Sequence, residues 1–288
     1  MGSISKKLHR KLASNSKNLP TKEPKRRPGE PLPGGIKDLA TLIQDGLDPV
    51  HAVYAFMQQM SSQFAEGVSQ MPEMKAYYKA AADAEDTYMP AGPPISPLTG
   101  SFFTTWAFYD LRIGNSGDTI GDCQIELNDV IWFNADQLDA LKKLNSSRMG
   151  IYEQVGFDGP HVRLRELITD EEFVCHNASR YRGKPGELWY VRLLPPLLPE
   201  LANYHIVFTT PYILIQSTKN DWMQFLKRNM LRIKAEDERD SLHQLLKYGL
   251  DLNYWKEFVF LAYHHHSAEA IFLAGIPDLP GTLPHAKS

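Results

Sequence analysis

The chain has 288 residues, 43% of them hydrophobic and 11% aromatic, and a formal net charge of −3. That is enough apolar material for one large core or two small ones, which excludes a wholly disordered chain. The longest apolar runs, such as Phe258 to Ala262, fall far short of the roughly 20 residues that cross a bilayer. Two cysteines, Cys123 and Cys175, are too few for a disulfide framework or a four-thiolate zinc site, and they point to a reducing, cytoplasmic compartment.

The charge is unevenly spread. Residues 1–30 carry Lys6, Lys7, Arg10, Lys11, Lys17, Lys22, Lys25, Arg26 and Arg27 against Glu23 and Glu30, a net of +7 that leaves −10 for the remainder. Residues 1–35 are also rich in proline and end in the Pro28 to Gly35 run, so they read as a disordered basic arm. Within it Ile4, Leu8 and Leu12 recur every four residues, the pattern of a short amphipathic helix that forms only against an acidic or apolar partner. No apolar stretch marks a secretory signal, and Lys6 stands where a myristoylation signal wants Ser or Thr.

Residues 36–97 read as helices and a linker. Ile36, Leu39, Leu42 and Ile43 share a face ahead of Gly46, and Asp48 with Pro49 opens a second helix to about Phe64. A third is expected from Pro72 to about Asp86, followed by a proline-rich linker. For residues 98–148 the aromatic and β-branched run from Phe102 to Ile113, with the Gly114 to Gly117 turn, predicts a hairpin. Helix is the competing reading for Trp106 to Leu111. A helix follows from Asn134 to Leu144.

Residues 149–217 hold short strand candidates at Gly150 to Phe157, His161 to Leu167, Glu172 to His176, Glu187 to Leu194 and Tyr204 to Ile215, with Pro211 marking a bulge or an edge. Short strands at this spacing predict a small barrel-like module. Residues 218–276 read as a C-terminal helical region and 277–288 as a tail. The fold class is therefore α+β: a small antiparallel β-barrel-like module flanked by N-terminal and C-terminal helices, preceded by a disordered basic arm.

Four segments carry a family resemblance: Phe103 to Asp110, Ser147 to Glu153, Val162 to Thr169, and Gly186 to Pro195. In order and spacing over roughly 110 residues they resemble a group of poorly characterised bacterial proteins, many with a C-terminal SEC-C zinc motif. The resemblance implies no shared activity. No cysteine follows Cys175, so the zinc knuckle and its metal role are not implied here.

Four groups of residues invite a chemical reading. His264, His265 and His266 offer nitrogen ligands for a metal, although consecutive side chains diverge and no HExxH pattern is near; a polar loop or helix end is the alternative. Cys175 beside His176 has the composition of a thiol–imidazole pair, but strand neighbours point to opposite faces, which favours a structural thiol. The acidic Asp83, Glu85 and Asp86 read as a solvated helix end, and no glycine pattern fits a nucleotide-binding loop.

The last of these signals lies in the barrel block, where Arg163 and Arg165 share a strand face and Arg180, Arg182 and Lys184 crowd one loop among Tyr152, Phe157, Tyr181, Trp189 and Tyr190. Arginine beside aromatics on a small β module is how single-strand binders hold phosphates and stack bases. From Arg148 to Arg192, however, seven basic residues face seven acidic ones, so cross-strand ion pairs are the competing explanation. The expected function is a binding or adaptor protein without a cofactor. It would contact an acidic partner, nucleic acid or a ribonucleoprotein, through the module and the arm residues Lys6, Lys7, Arg10, Lys11, Lys25, Arg26 and Arg27. The alternative is a metal-dependent hydrolase using the C-terminal histidines.

Overall fold

The computed structural model describes residues 2–15, 39–68, 71–88, 97–128, 133, 135–197 and 203–284. Arm residues 16–35, residues 36–38 at the start of the expected helical segment, and linker residues 89–96 lie outside them. The chain divides into two compact units, the first made of Met1–Ala82, Leu111–Ser146 and Leu197–Ala202, the second of Asp83–Asp110, Ser147–Pro196 and Asn203–Ser288. No described helix is long and apolar enough to cross a membrane.

The first unit opens with α1 (Ser3–Asn15), the amphipathic helix expected from the Ile4 and Leu8 spacing. Both side chains are buried, so the apolar partner this helix needs is its own chain. Its first turn is held by carboxylates: Gly2 N donates to Glu126 Oε2 at 2.7 Å and Ile4 N to Asp118 Oδ2 at 3.1 Å. Free N–H groups and the positive end of the helix dipole both favour anions there. A Cβ at Gly2 would sit 1.9 Å from Asp118 Oδ1, so a side chain at this position would displace the carboxylate.

Helix α2 (Leu39–Gln44) ends before Gly46, whose φ of 94° suits glycine. Asp48 then caps α3 (Pro49–Val68), accepting from Val50 N at 2.9 Å with Pro49 in the first turn, as the sequence predicts. A 3₁₀ turn, Pro72–Met74, leads into α4 (Lys75–Tyr88). These elements bury Leu42, Val53, Phe56, Met57, Met74 and Tyr77.

The expected hairpin from Phe102 to Ile113 is overturned. Pro97–Tyr109 is a helix, α5, in the second unit, because Phe102, Trp106 and Tyr109 fall at i, i+4 and i+7 and are 2%, 4% and 2% exposed. Burial at helical period outweighs the β propensity of the individual residues. The Gly114 to Gly117 turn is present but closes a single bridge, Ile113 to Asp118. Back in the first unit, a Thr119/Asp122 capping box starts α6 (Ile120–Glu126). Asn145 Nδ2 donates to Asp122 Oδ1 at 2.9 Å, tying α6 to α7 (Ala135–Ser146).

In the second unit five strands close a barrel: β1 (Met149–Asp158), β2 (His161–Glu166), β3 (Glu172–Asn177), β4 (Leu188–Leu194) and β5 (His205–Val207). Their ring order is β1-β2-β3-β5-β4 and back to β1, antiparallel throughout except for β3 with β5. Closure depends on β1, which pairs with β4 through Met149 to Glu153 and with β2 through Tyr152 to Asp158. A bulge between Gln154 and Gly156, the latter at φ 147°, bends the strand from one neighbour to the other. Tyr152, Val162, Leu164, Cys175, Trp189, Val191, Leu193 and Val207 fill the interior at alternate positions.

The last expected strand, Tyr204 to Ile215, is two strands, β5 and β6 (Tyr212–Leu214), broken before Pro211 as that residue demands. Beyond them lie α8 (Lys219–Met230), α9 (Glu238–Tyr248) and α10 (Tyr254–Leu261). The C-terminal region is not wholly helical. Tyr263–His266 forms β7 and Ile271–Leu273 forms β8, because β6 offers β8 a parallel partner and β8 in turn pairs with β7.

Strand β4 is buried along its whole length. Its outward face carries Tyr190, stacked on Trp255 of α10 at 5.1 Å, and Arg192, which is 0% exposed. Arg192 pairs with Asp110 at the end of α5, whose other oxygen accepts from Lys247 of α9 at 3.1 Å. Both cations also donate to the Ser147 carbonyl, at 2.8 and 2.9 Å. Removing one partner of a buried ion group leaves uncompensated charge, so Asp110→Ala is expected to cost about 3–5 kcal/mol in urea denaturation. Arg165→Gln, at a partly exposed pair, is expected to leave the urea midpoint close to that of the parent protein in the same assay.

Candidate nucleic-acid interface

The alternation that sends Val162 and Leu164 into the barrel turns His161, Arg163 and Arg165 outward on β2. On β3 the outward positions are Glu172, Val174 and His176, and the register sets Arg165 opposite Glu172 and Arg163 opposite Val174. The two arginines share one face, as the sequence predicts, and both are engaged. Glu172 accepts from Arg163 Nη2 and, at 3.0 and 2.6 Å, from Arg165 Nε and Nη2. Bonds from Arg165 and Arg163 hold the Glu172 carboxyl below its usual range. The neighbouring Glu153, opposite Arg165, takes Lys219 at 2.5 Å.

Beside the arginines lies a ring cluster that sequence reasoning missed. Tyr204, just before β5, sits with its ring 4.3 Å from that of His161 and 5.7 Å from that of His176, the latter pair stacked with 27° between planes. All three side chains are half-buried on the outer surface. The only sequence signal was histidine at outward strand positions, and His161, His176 and Tyr204 are brought together by the β2–β3 and β3–β5 pairings.

The loop between β3 and β4 is organised by Tyr181. Its carbonyl accepts from Asn177 Nδ2 at 2.8 Å, its hydroxyl donates to Glu187 Oε2 at 3.1 Å, and its ring packs 5.4 Å from that of Trp189. Arg180, Arg182 and Lys184, at alternate positions, are left exposed. Arg182 lies 4.4 Å above the Phe157 ring at the end of β1, a cation–π contact. Of the arm residues, Lys6, Lys7 and Arg10 are exposed on α1, while Lys11 pairs with Glu73 at 2.8 Å. Lys25, Arg26 and Arg27 lie outside the described residues.

The three C-terminal histidines are on β7 and do not share one point. His264 and His265 approach through their Nδ1 atoms at 2.8 Å, His265 stacks on Phe272 at 4.3 Å, and His266 bonds the Tyr263 hydroxyl at 2.7 Å. His264 borders a cleft of about 590 Å³ with Ser217 and Asp221, but that carboxylate is taken by the Thr218 amide and hydroxyl at 2.8 and 2.7 Å. Among the described residues no group of three His, Cys, Asp or Glu is placed to hold a metal ion. Burial pushes the Cys175 thiol up, and raises Cys123 to about 12, so neither has thiolate character near neutral pH.

A second concavity, of about 400 Å³, lies beside α9 and contains Arg148, Glu166 and His243. Arg148 pairs with Glu166 at 2.8 Å, and Thr169 Oγ1 donates to the same carboxylate at 2.9 Å. Its charged groups are matched within the chain, including Arg239 with Glu171 at 2.6 Å.

No protein-family model, no curated protein sequence and no solved structure matches this chain.

Burial, with the charges of Arg148 and Lys247, lowers His243 from 6.5 to about 4. The unfolded chain therefore binds a proton that the folded one refuses between these values, and folding stability is lost as pH falls through that window. His243→Gln is expected to show a shallower loss than the parent protein between about pH 7 and about pH 4.5, measured by urea midpoint.

Proposed function

We propose that this chain is a non-enzymatic binding protein whose barrel takes single-stranded nucleic acid on the β2–β3 face. The observation that carries the reading is the Tyr204, His161 and His176 ring cluster set beside Arg163 and Arg165. Aromatic faces accept any unstacked base, and guanidinium groups one strand step away suit the connecting phosphates. Duplexes hide the base faces, so single strands are the favoured class.

The strand order supports the same reading by analogy. A five-stranded ring of order 1-2-3-5-4-1 with strands 3 and 5 parallel is the connectivity of the oligonucleotide- and oligosaccharide-binding barrel, whose strands 2 and 3 present the ligand face. Fold alone does not carry function, and the weight rests on the side chains. The exposed Arg180, Arg182 and Lys184 of the loop, and Lys6, Lys7 and Arg10 of α1, add cationic surface for an acidic partner.

The test is fluorescence anisotropy with a labelled oligothymidylate of about 12 nucleotides, titrated at several salt concentrations. The full-length protein is expected to bind at low salt with affinity falling as salt rises. Tyr204→Ala is expected to lose about 1–3 kcal/mol of binding, the worth of one stacked base. Absence of binding at low salt, or equal affinity for duplex and single strand, would overturn the proposal.

A further inference from the structure

The outward face of β2 and β3 holds a contact that is unusual for a surface ion pair: one carboxylate accepting three bonds from two guanidiniums on the neighbouring strand. Arg163 and Arg165 both point away from the barrel, two residues apart, and their side chains are 43% and 37% exposed. Glu172 is 34% exposed itself. The side chains that bond it, Arg163 and Arg165, are themselves partly exposed. Arg165 holds one carboxylate oxygen through Nε and Nη2 and Arg163 Nη2 holds the other, the charge-assisted bonds by which arginines also hold a phosphate.

We infer that Glu172 is an intramolecular placeholder for a backbone phosphate: in the free protein it occupies the Arg163 and Arg165 fork, and a phosphodiester of a bound single strand displaces it. This rests on the nucleic-acid reading above and names how that same face is regulated. The displaced carboxylate remains beside the strand and repels it, so Glu172 restrains affinity instead of contributing to it. It also imposes selectivity. A ligand with phosphates at the wrong spacing from the ring cluster cannot claim the fork while a base rests on Tyr204, and the carboxylate then keeps its partners.

The opposing account is a purely structural pair, in which Glu172 stitches β3 to β2 and the arginines have no further use. The two accounts part on one substitution. Glu172→Gln keeps the shape and removes the negative charge, freeing both guanidiniums.

The experiment is the oligothymidylate anisotropy titration on the full-length protein and on Glu172→Gln, with thermal unfolding of each as a check on folding. Glu172→Gln is expected to bind about tenfold more tightly, and its log-affinity is expected to fall more steeply with log salt, by about 0.7 for each additional phosphate neutralised. Glu172→Asp, with a carboxylate too short to span both arginines, is expected to lie between the two and guards against misfolding of the glutamine variant. Adding Arg163→Gln and Arg165→Gln to Glu172→Gln is expected to abolish the gain. Parent protein and Glu172→Gln binding with equal affinity and equal salt slope would overturn the placeholder and leave the binding face standing. Neither protein binding at low salt would overturn both.

Discussion

The carboxylate of Asp110 is the constraint on which the second unit is assembled. It receives Arg192 from the outward face of β4 and Lys247 from α9, and both cations share the carbonyl of Ser147, two residues before β1 begins. Burying three charges is costly, and an arrangement like this survives only where each group is satisfied from several directions at once. That requirement pins the end of α5, strand β4, the entry to β1 and helix α9 to a common point. Burial, followed by the charge of Asp110, holds the Tyr190 phenol on the same face of β4 well above its ordinary range.

Because β4 is covered on both sides, it also decides which side of the barrel is free. One face lines the interior through Trp189, Val191 and Leu193, and the other is sealed by the ion group and by the Tyr190, Trp255, Phe258 and Phe102 rings. On strands β2 and β3, in the far part of the ring, the outward Arg163 and Arg165 side chains are 43% and 37% exposed. The rings and arginines therefore gather on the part of the barrel that the buried network leaves uncovered. The neutral charge count of the barrel block is resolved in the same place: Glu172 answers Arg163 and Arg165, Glu153 answers Lys219, and Glu166 answers Arg148. Local neutrality and the phosphate role proposed for Arg163 and Arg165 are compatible, because the pairs on the β2–β3 face are partly exposed.

The basic N-terminus has a comparable double character. Its first helix was legible as amphipathic from Ile4 and Leu8, and its docking partner is an acidic and apolar seat formed by Asp118, Glu126, Glu73 and the neighbouring core. Part of the positive excess is thus spent on the chain's own carboxylates. Lys6, Lys7 and Arg10 remain on the open side of the helix.

What the sequence by itself determined is local: the capped start of α3 follows from Asp48 and Pro49, and the barrel strands follow from short β-branched and aromatic runs interrupted by Asp158-Gly159-Pro160 and Pro211. The shared face of Arg163 and Arg165 was legible for the same reason, since residues two apart on a strand must point the same way. The tertiary structure alone decided the rest. Phe102 to Tyr109 is helical because its aromatic rings meet partners across the unit, and Ile271 to Leu273 is a strand because β6 stands beside it. Asp110 with Lys247 and Tyr204 with His161 are 137 and 43 positions apart, and no propensity or spacing relates them. Long-range pairs are set by strand register and by the need to satisfy buried charge, and both exist only once the chain has closed on itself.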